Sequence, residues 1–144
     1  MPELRGTVWE IALQNISRNW LAENVRADLV EFVNPNGSDV EVISERLRSP
    51  LFCRDEDAYE FNISPRHTVL VSVLRTVEDS SGFRGLEPVC ATCPHWVERP
   101  EKYYELRIEI YGNNVDKKEY RFVIDSDLNF RLSTSSPTEA KRVF

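Results

Sequence analysis

The chain has 144 residues, 41% of them hydrophobic and 29% charged, with a net charge of −6 and a pI near 5.0. That length suits one domain able to bury a proper core. Lys and Arg are scattered among Glu and Asp, which argues against a nucleic-acid partner, since that needs a basic face or stripe. No apolar run reaches the length of a membrane span, the longest, over 68–74, being strand-sized. Residues 1–6 show no basic segment leading into an apolar one, so no secretory leader is expected and the location read from Met1 as a start is cytoplasmic.

Period-two alternation organises the rest. Over 7–15, Trp9, Ile11 and Leu13 point one way and Glu10 and Gln14 the other, the pattern of a strand with one buried face. A polar loop carrying Trp20 and Leu21 follows. A second strand over 25–33 alternates Val25, Ala27 and Leu29 with Arg26 and Asp28, and then Val30 and Phe32 change parity. A bulge, or burial on both faces, would explain that change. The turn Asn34-Pro35-Asn36-Gly37-Ser38-Asp39 has the Pro and Gly that tight turns need. A third strand over 40–46 and a short edge segment, Leu51-Phe52-Cys53, come next.

Tyr59, Phe61 and Ile63 alternate with Glu60 and Asn62, and Ser64-Pro65-Arg66 turns the chain into 68–77. This is the most β-branched run and is expected to be a central strand. Residues 78–102 have no periodicity and hold Gly82, Gly85, Pro88, Pro94 and Pro100, so a long loop is expected, of a kind that is often functional. The clearest pair of strands closes the chain. Tyr104, Leu106, Ile108 and Ile110 alternate with Glu105, Arg107, Glu109 and Tyr111; after a polar connection, Lys118, Tyr120, Phe122 and Ile124 alternate with Glu119, Arg121, Val123 and Asp125. A last short strand over 128–132 precedes a polar tail.

These elements predict an all-β chain: an antiparallel β-sandwich of seven to eight strands in a single domain over 1–132, with a polar C-terminal tail over 133–144. A tyrosine at the start of the penultimate strand, Tyr103 or Tyr104, resembles the tyrosine corner of immunoglobulin-like folds. The run Ala22-Glu23-Asn24-Val25-Arg26-Ala27-Asp28-Leu29 and the closing pattern Tyr-x-Leu-x-Ile-x-Ile-Tyr-Gly-Asn-Asn from Tyr104 to Asn114 are similar to the immunoglobulin-like accessory domains of prokaryotic proteins. That resemblance implies an immunoglobulin-like sandwich and a docking role, and it carries over no active site.

Chemistry is sparse. Cys90-Ala91-Thr92-Cys93-Pro94-His95 sets a CxxC beside a histidine in the long loop. Two thiolates at that spacing can hold one metal, and His95 or Cys53 would complete a tetrahedron for zinc. No second paired motif accompanies them, so the plain reading is two reduced loop thiols, no cofactor, and Cys53 packed as a small hydrophobe. Asp125-Ser126-Asp127-Leu128-Asn129 opens like a calcium loop, but Phe130 stands where glycine is needed, so a turn is expected. Asp55-Glu56-Asp57 with Glu78-Asp79 would bind calcium only if those loops converged. No nucleophile elbow or phosphate-binding loop appears, and the chain reads as a binding module rather than an enzyme.

Aromatic and arginine side chains in the long loop carry the binding expectation. Phe83, Arg84, Trp96 and Arg99 lie within 78–102, where a large aromatic side chain either plugs the end of the sandwich or anchors a partner, and Trp or Phe with Arg is the composition of an interface anchor. The expected partner is a protein, docked through that loop or through an exposed sheet edge. Unpaired edges also invite self-association, which leaves the oligomeric state open. Two alternatives stand beside this: a zinc-ordered loop using Cys90, Cys93, His95 and Cys53, and a small carbohydrate-binding or hydrolytic sandwich using exposed Trp and acidic loops.

Overall fold

A computed structural model of the chain describes residues 6–33, 41–43, 48–92 and 96–133, with the backbone alone over 41–43. The expected turn at 34–39, most of the expected third strand, Cys93, His95 and the tail from 134 onward lie outside the described residues. The strands are β1 (Val8–Gln14), β2 (Ala22–Val33), β3 (Glu41–Ile43), β4 (Ser49–Pro50), β5 (Phe61–Ile63), β6 (Thr68–Asp79), β7 (Gly82–Pro88), β8 (Tyr103–Gly112), β9 (Val115–Asp125) and β10 (Phe130–Leu132). One antiparallel sheet has the order β1-β6-β7; the other runs β10-β9-β8-β2-β3, with β4 and β5 also paired to β2. No helix occurs among the described residues.

The all-β, two-sheet expectation holds, and β6 is the middle strand of its sheet as its β-branched sequence predicts. The expected count of seven to eight strands is short, because ten are present among the described residues and β7 lies inside the stretch read as loop. Its sequence, Gly82-Phe83-Arg84-Gly85-Leu86-Glu87-Pro88, has no alternation to reveal it. Pairing with β6 makes it a strand.

Elsewhere the alternations bury the residues that their period selects. Tyr104, Leu106, Ile108 and Ile110 of β8 meet Ile11 and Leu13 of β1, Ala27 and Leu29 of β2, and Phe122 and Ile124 of β9 in one core. Each fully buried Leu or Ile contributes about 1.5–3 kcal/mol. Trp9 packs against that core while only partly buried. The parity change in β2 is a bulge: its register against β8 shifts between Leu29 and Glu31, which makes Val30 the extra residue and returns Phe32 to the core face opposite Leu106.

Strand β2 is bonded along both edges, by β8 on one side and by β5, β4 and β3 in turn on the other. After β4 the chain crosses to the smaller sheet. Leu51 N–H donates to Ala27 O (2.7 Å), Phe52 N–H to Val89 O (3.1 Å), and Ser72 N–H to Phe52 O (2.8 Å). This crossing seals one flank of the sandwich. On the opposite flank a cleft of about 220 Å³ lies between β1 and β10, lined by Ile11, Leu70, Phe122, Phe130 and Leu132 among others.

The two motifs that carry the resemblance meet at one end of the larger sheet. Asn24 has a φ of +52°, a left-handed conformation that asparagine tolerates better than most residues. Its N–H donates to Asn62 Oδ1 (3.0 Å), its side-chain amide donates to Glu60 Oε2 (2.7 Å), and its Oδ1 accepts from Asn113 Nδ2 (2.7 Å). Asn114 accepts from Glu23 N–H (2.8 Å) and donates to Leu21 O (2.7 Å). Gly112 permits this approach, since a Cβ there would sit 2.7 Å from Glu23 O. These residues lock the β8–β9 turn onto the start of β2. Asn24→Ala is expected to lower the unfolding free energy by about 1–3 kcal/mol in a urea titration, and Asn24→Gly by less, because glycine keeps the left-handed backbone at no steric cost. Equal losses would show that the side-chain bonds alone matter.

Candidate functional site

The β6–β7 hairpin and the segment after residue 96 build a groove. Asp79 Oδ1 accepts from Ser81 N–H (2.7 Å) in the hairpin turn, and Gly82 supplies the positive φ of +107°. Val77 then pairs with Gly85 while Glu78 pairs with Phe83, so Arg84 is the extra residue of a β-bulge. A bulge re-aims its side chain and bends the strand locally. Next comes Gly85, above which the returning chain passes closely: a Cβ there would lie 2.1 Å from Val97 O and 2.6 Å from Trp96 Cε3. Leu86 and Val97 exchange both backbone hydrogen bonds, at 2.7 and 2.8 Å.

Two further contacts hold the returning segment. The Tyr104 hydroxyl donates to Glu98 O (2.8 Å), and the ring of Tyr104 meets Phe32 edge to face at 5.4 Å in the core. Burial pushes the Tyr104 phenol up from its ordinary value, which keeps the hydroxyl a donor. Arg99 Nη1 donates to Ser126 O (3.1 Å), and the guanidinium carbon lies 5.0 Å from the centroid of the Phe83 ring. The result is a groove of about 370 Å³ lined by Phe83, Arg84, Trp96, Glu98 and Arg99.

All four side chains singled out for binding, Phe83, Arg84, Trp96 and Arg99, therefore line one surface feature, and Glu98 joins them. Trp96 is 41% exposed. Arg84 Nε lies 3.2 Å from Asp79 Oδ2, an exposed pair of a kind worth about 0–1 kcal/mol. Chemically the groove offers rings to stack on and planar guanidinium forks that match a carboxylate in two-point contact.

The metal candidates are placed differently. Cys53 is fully buried in the core, and burial pushes its thiol up. Cys90 is engaged in a disulfide, where the sequence predicted a reduced thiol, and a disulfide sulfur is not the thiolate that zinc takes. Cys93 and His95 lie outside the described residues. Among the described residues no group of three or more His, Cys, Asp or Glu is placed to hold a metal. The acidic loops do not converge: Asp55 Oδ2 accepts from Leu70 N–H (2.7 Å) at the start of β6, whereas Glu78 lies eight residues further along that strand, about 26 Å away at the usual rise. Asp125 makes the expected turn, accepting from Asp127 N–H (2.9 Å) and Asn129 N–H (3.1 Å).

One polar cluster escaped the sequence reading. Asp28 of β2 and Glu109 of β8 stand directly opposite each other, and both are buried. Like charges so placed repel, and the neighbours compensate. Asp28 Oδ1 lies 3.3 Å from Arg26 Nη2, its Oδ2 accepts from the Tyr111 hydroxyl (2.8 Å), and Glu109 Oε1 is bound by Arg48 and lies 3.4 Å from Lys117 Nζ. Their parity reads as a solvent face, so nothing in the local pattern signals burial. Among the described residues Arg26, Arg48 and Lys117 each face a carboxylate of this cluster, which marks it as structural.

No protein-family model matches the chain, no curated protein matches it, and no solved structure matches it.

Two outcomes are expected from this geometry. Gly85→Ala would force Trp96 and Val97 off β7, changing the tryptophan emission maximum and lowering stability by about 1–3 kcal/mol; unchanged emission and stability would refute the close approach. The hydrogen bond from Arg48 holds the Glu109 carboxyl below its ordinary value, with burial opposing. That stabilisation is present above the unfolded glutamate pKa of about 4.3 and fades as the pH falls through it toward the lower folded value. Glu109→Gln should therefore flatten the acid limb of a stability–pH profile; an acid limb as steep as wild type would say that other carboxylates carry it.

Proposed function

We propose that the chain is a non-catalytic binding module on an immunoglobulin-like sandwich, which docks a protein partner through the groove formed by Phe83, Arg84, Trp96 and Arg99. The observation that carries this reading is the convergence of those side chains on one feature, held from beneath by Gly85, Leu86 and Tyr104. A pre-ordered aromatic and arginine surface binds with little loss of conformational freedom. For the immunoglobulin-like part, support comes from the separation of β1-β6 and β2-β8-β9 into different sheets. The bond from the Tyr104 hydroxyl to a backbone carbonyl shortly upstream is of the tyrosine-corner kind and supports it too.

The sheet-edge route has one observation in its favour. Among the described residues β1 pairs only with β6 and β10 only with β9, and both border the apolar cleft, where an added strand could set alternate side chains.

Affinity purification from the source cells separates these. With Trp96→Ala and Arg84→Ala combined, partner capture should be lost while the melting temperature stays within about 3 °C of wild type. Undiminished capture would remove the groove as the docking surface. Capture lost together with a large fall in melting temperature would assign these side chains to the scaffold.

A further inference from the structure

Resting on the docking reading of the same groove, we infer that the segment it receives is acidic: a peptide carboxylate seats against Arg99 and Arg84, with a neighbouring apolar side chain on Trp96. Most cations near the sheets of this acidic chain are already committed to carboxylates. At the buried cluster, Arg26, Arg48 and Lys117 each face a carboxylate. Arg107, Arg121 and Arg131 do so on the outer face of the larger sheet. Arg99 differs. Like Arg18, Arg66, Lys102 and Lys118 it forms no ion pair among the described residues, but it is held in place within the groove by the Phe83 ring at 5.0 Å and by Ser126 O at 3.1 Å.

An arginine carries five N–H donors in a planar fork that matches a carboxylate bidentately. The Ser126 bond uses one donor of Arg99. Arg84 contributes a second guanidinium, whose exposed pair with Asp79 is of the weak surface type and exchanges at low cost. Within the lining, two arginines outnumber the single carboxylate of Glu98. Trp96, exposed beside them, offers a face to an aliphatic or aromatic side chain next to the acid.

The full chain can be panned against a random peptide library on phage, and an enriched sequence then synthesised with both ends capped. Fluorescence anisotropy would compare it with its Glu-to-Gln and Asp-to-Asn version and with a phosphoserine version. The same peptide would be titrated against Arg99→Gln, Arg84→Gln and Trp96→Ala. Enrichment of acidic sequences with an adjacent apolar residue is expected, with binding about tenfold weaker for the neutralised peptide and for Arg99→Gln. The neutralised peptide keeps the test independent of whether a variant folds. Binding that falls for Trp96→Ala but ignores the peptide's charge and both arginine variants would overturn the acidic partner and leave the docking reading intact. Preference for the phosphoserine peptide with no affinity for the carboxylate form would also overturn it. Peptides indifferent to Trp96→Ala, or no enrichment at all, would remove the docking reading and this inference together.

Discussion

Strand β2 has hydrogen-bonding neighbours along both edges, and most of the architecture follows from that constraint. With β8 on one side and β5, β4 and β3 in succession on the other, its register decides which face every neighbouring side chain takes. A slip of one residue would carry Leu29 to solvent and Asp28 into the core. The bulge at Val30 accommodates the parity change without breaking the pairing, so Phe32 lands against Leu106 and Tyr104. From that same edge the chain crosses at 51–53 to tie the sheets together.

The groove stands at the far end of that logic, where regular pairing gives out. Strands β6 and β7 pair as a hairpin, the bulge at Arg84 interrupts them, and the returning chain touches β7 through Leu86 and Val97. Past that contact the two segments separate, and the side chains of Phe83, Arg84, Glu98 and Arg99 line the gap. Its geometry is irregular but supported, since Gly85 sits beneath Trp96 and the Tyr104 hydroxyl fixes Glu98.

The two charged sites make an instructive contrast. Asp28 and Glu109 face each other in the sheet with cations and a phenol satisfying them, so the cluster is closed upon itself and costs a good deal to disturb. At the groove, Arg99 leans on an aromatic ring and a carbonyl, which leaves charge directed outward. Burial and partnering, rather than residue type, distinguish a structural charge from an available one.

Much of this was legible in the chain itself. Leu106, Ile108 and Ile110, or Phe122 and Ile124, announce their burial by period two alone, because a pleated strand sends successive side chains to opposite faces. The parity change after Leu29 likewise marks a break in the one-sided pattern, and Phe83, Arg84, Trp96 and Arg99 fall together in one aperiodic stretch. Tertiary structure alone decided the rest. It made a strand of Gly82–Pro88, whose glycines and proline hide it, through hydrogen bonds supplied by β6. It also buried Asp28 and Glu109, whose alternation assigns them to water, because Arg48 arrives from a different part of the chain. Local sequence sets the direction of each side chain from its own backbone; what finally covers that side chain is set by residues distant in sequence, which no local period encodes.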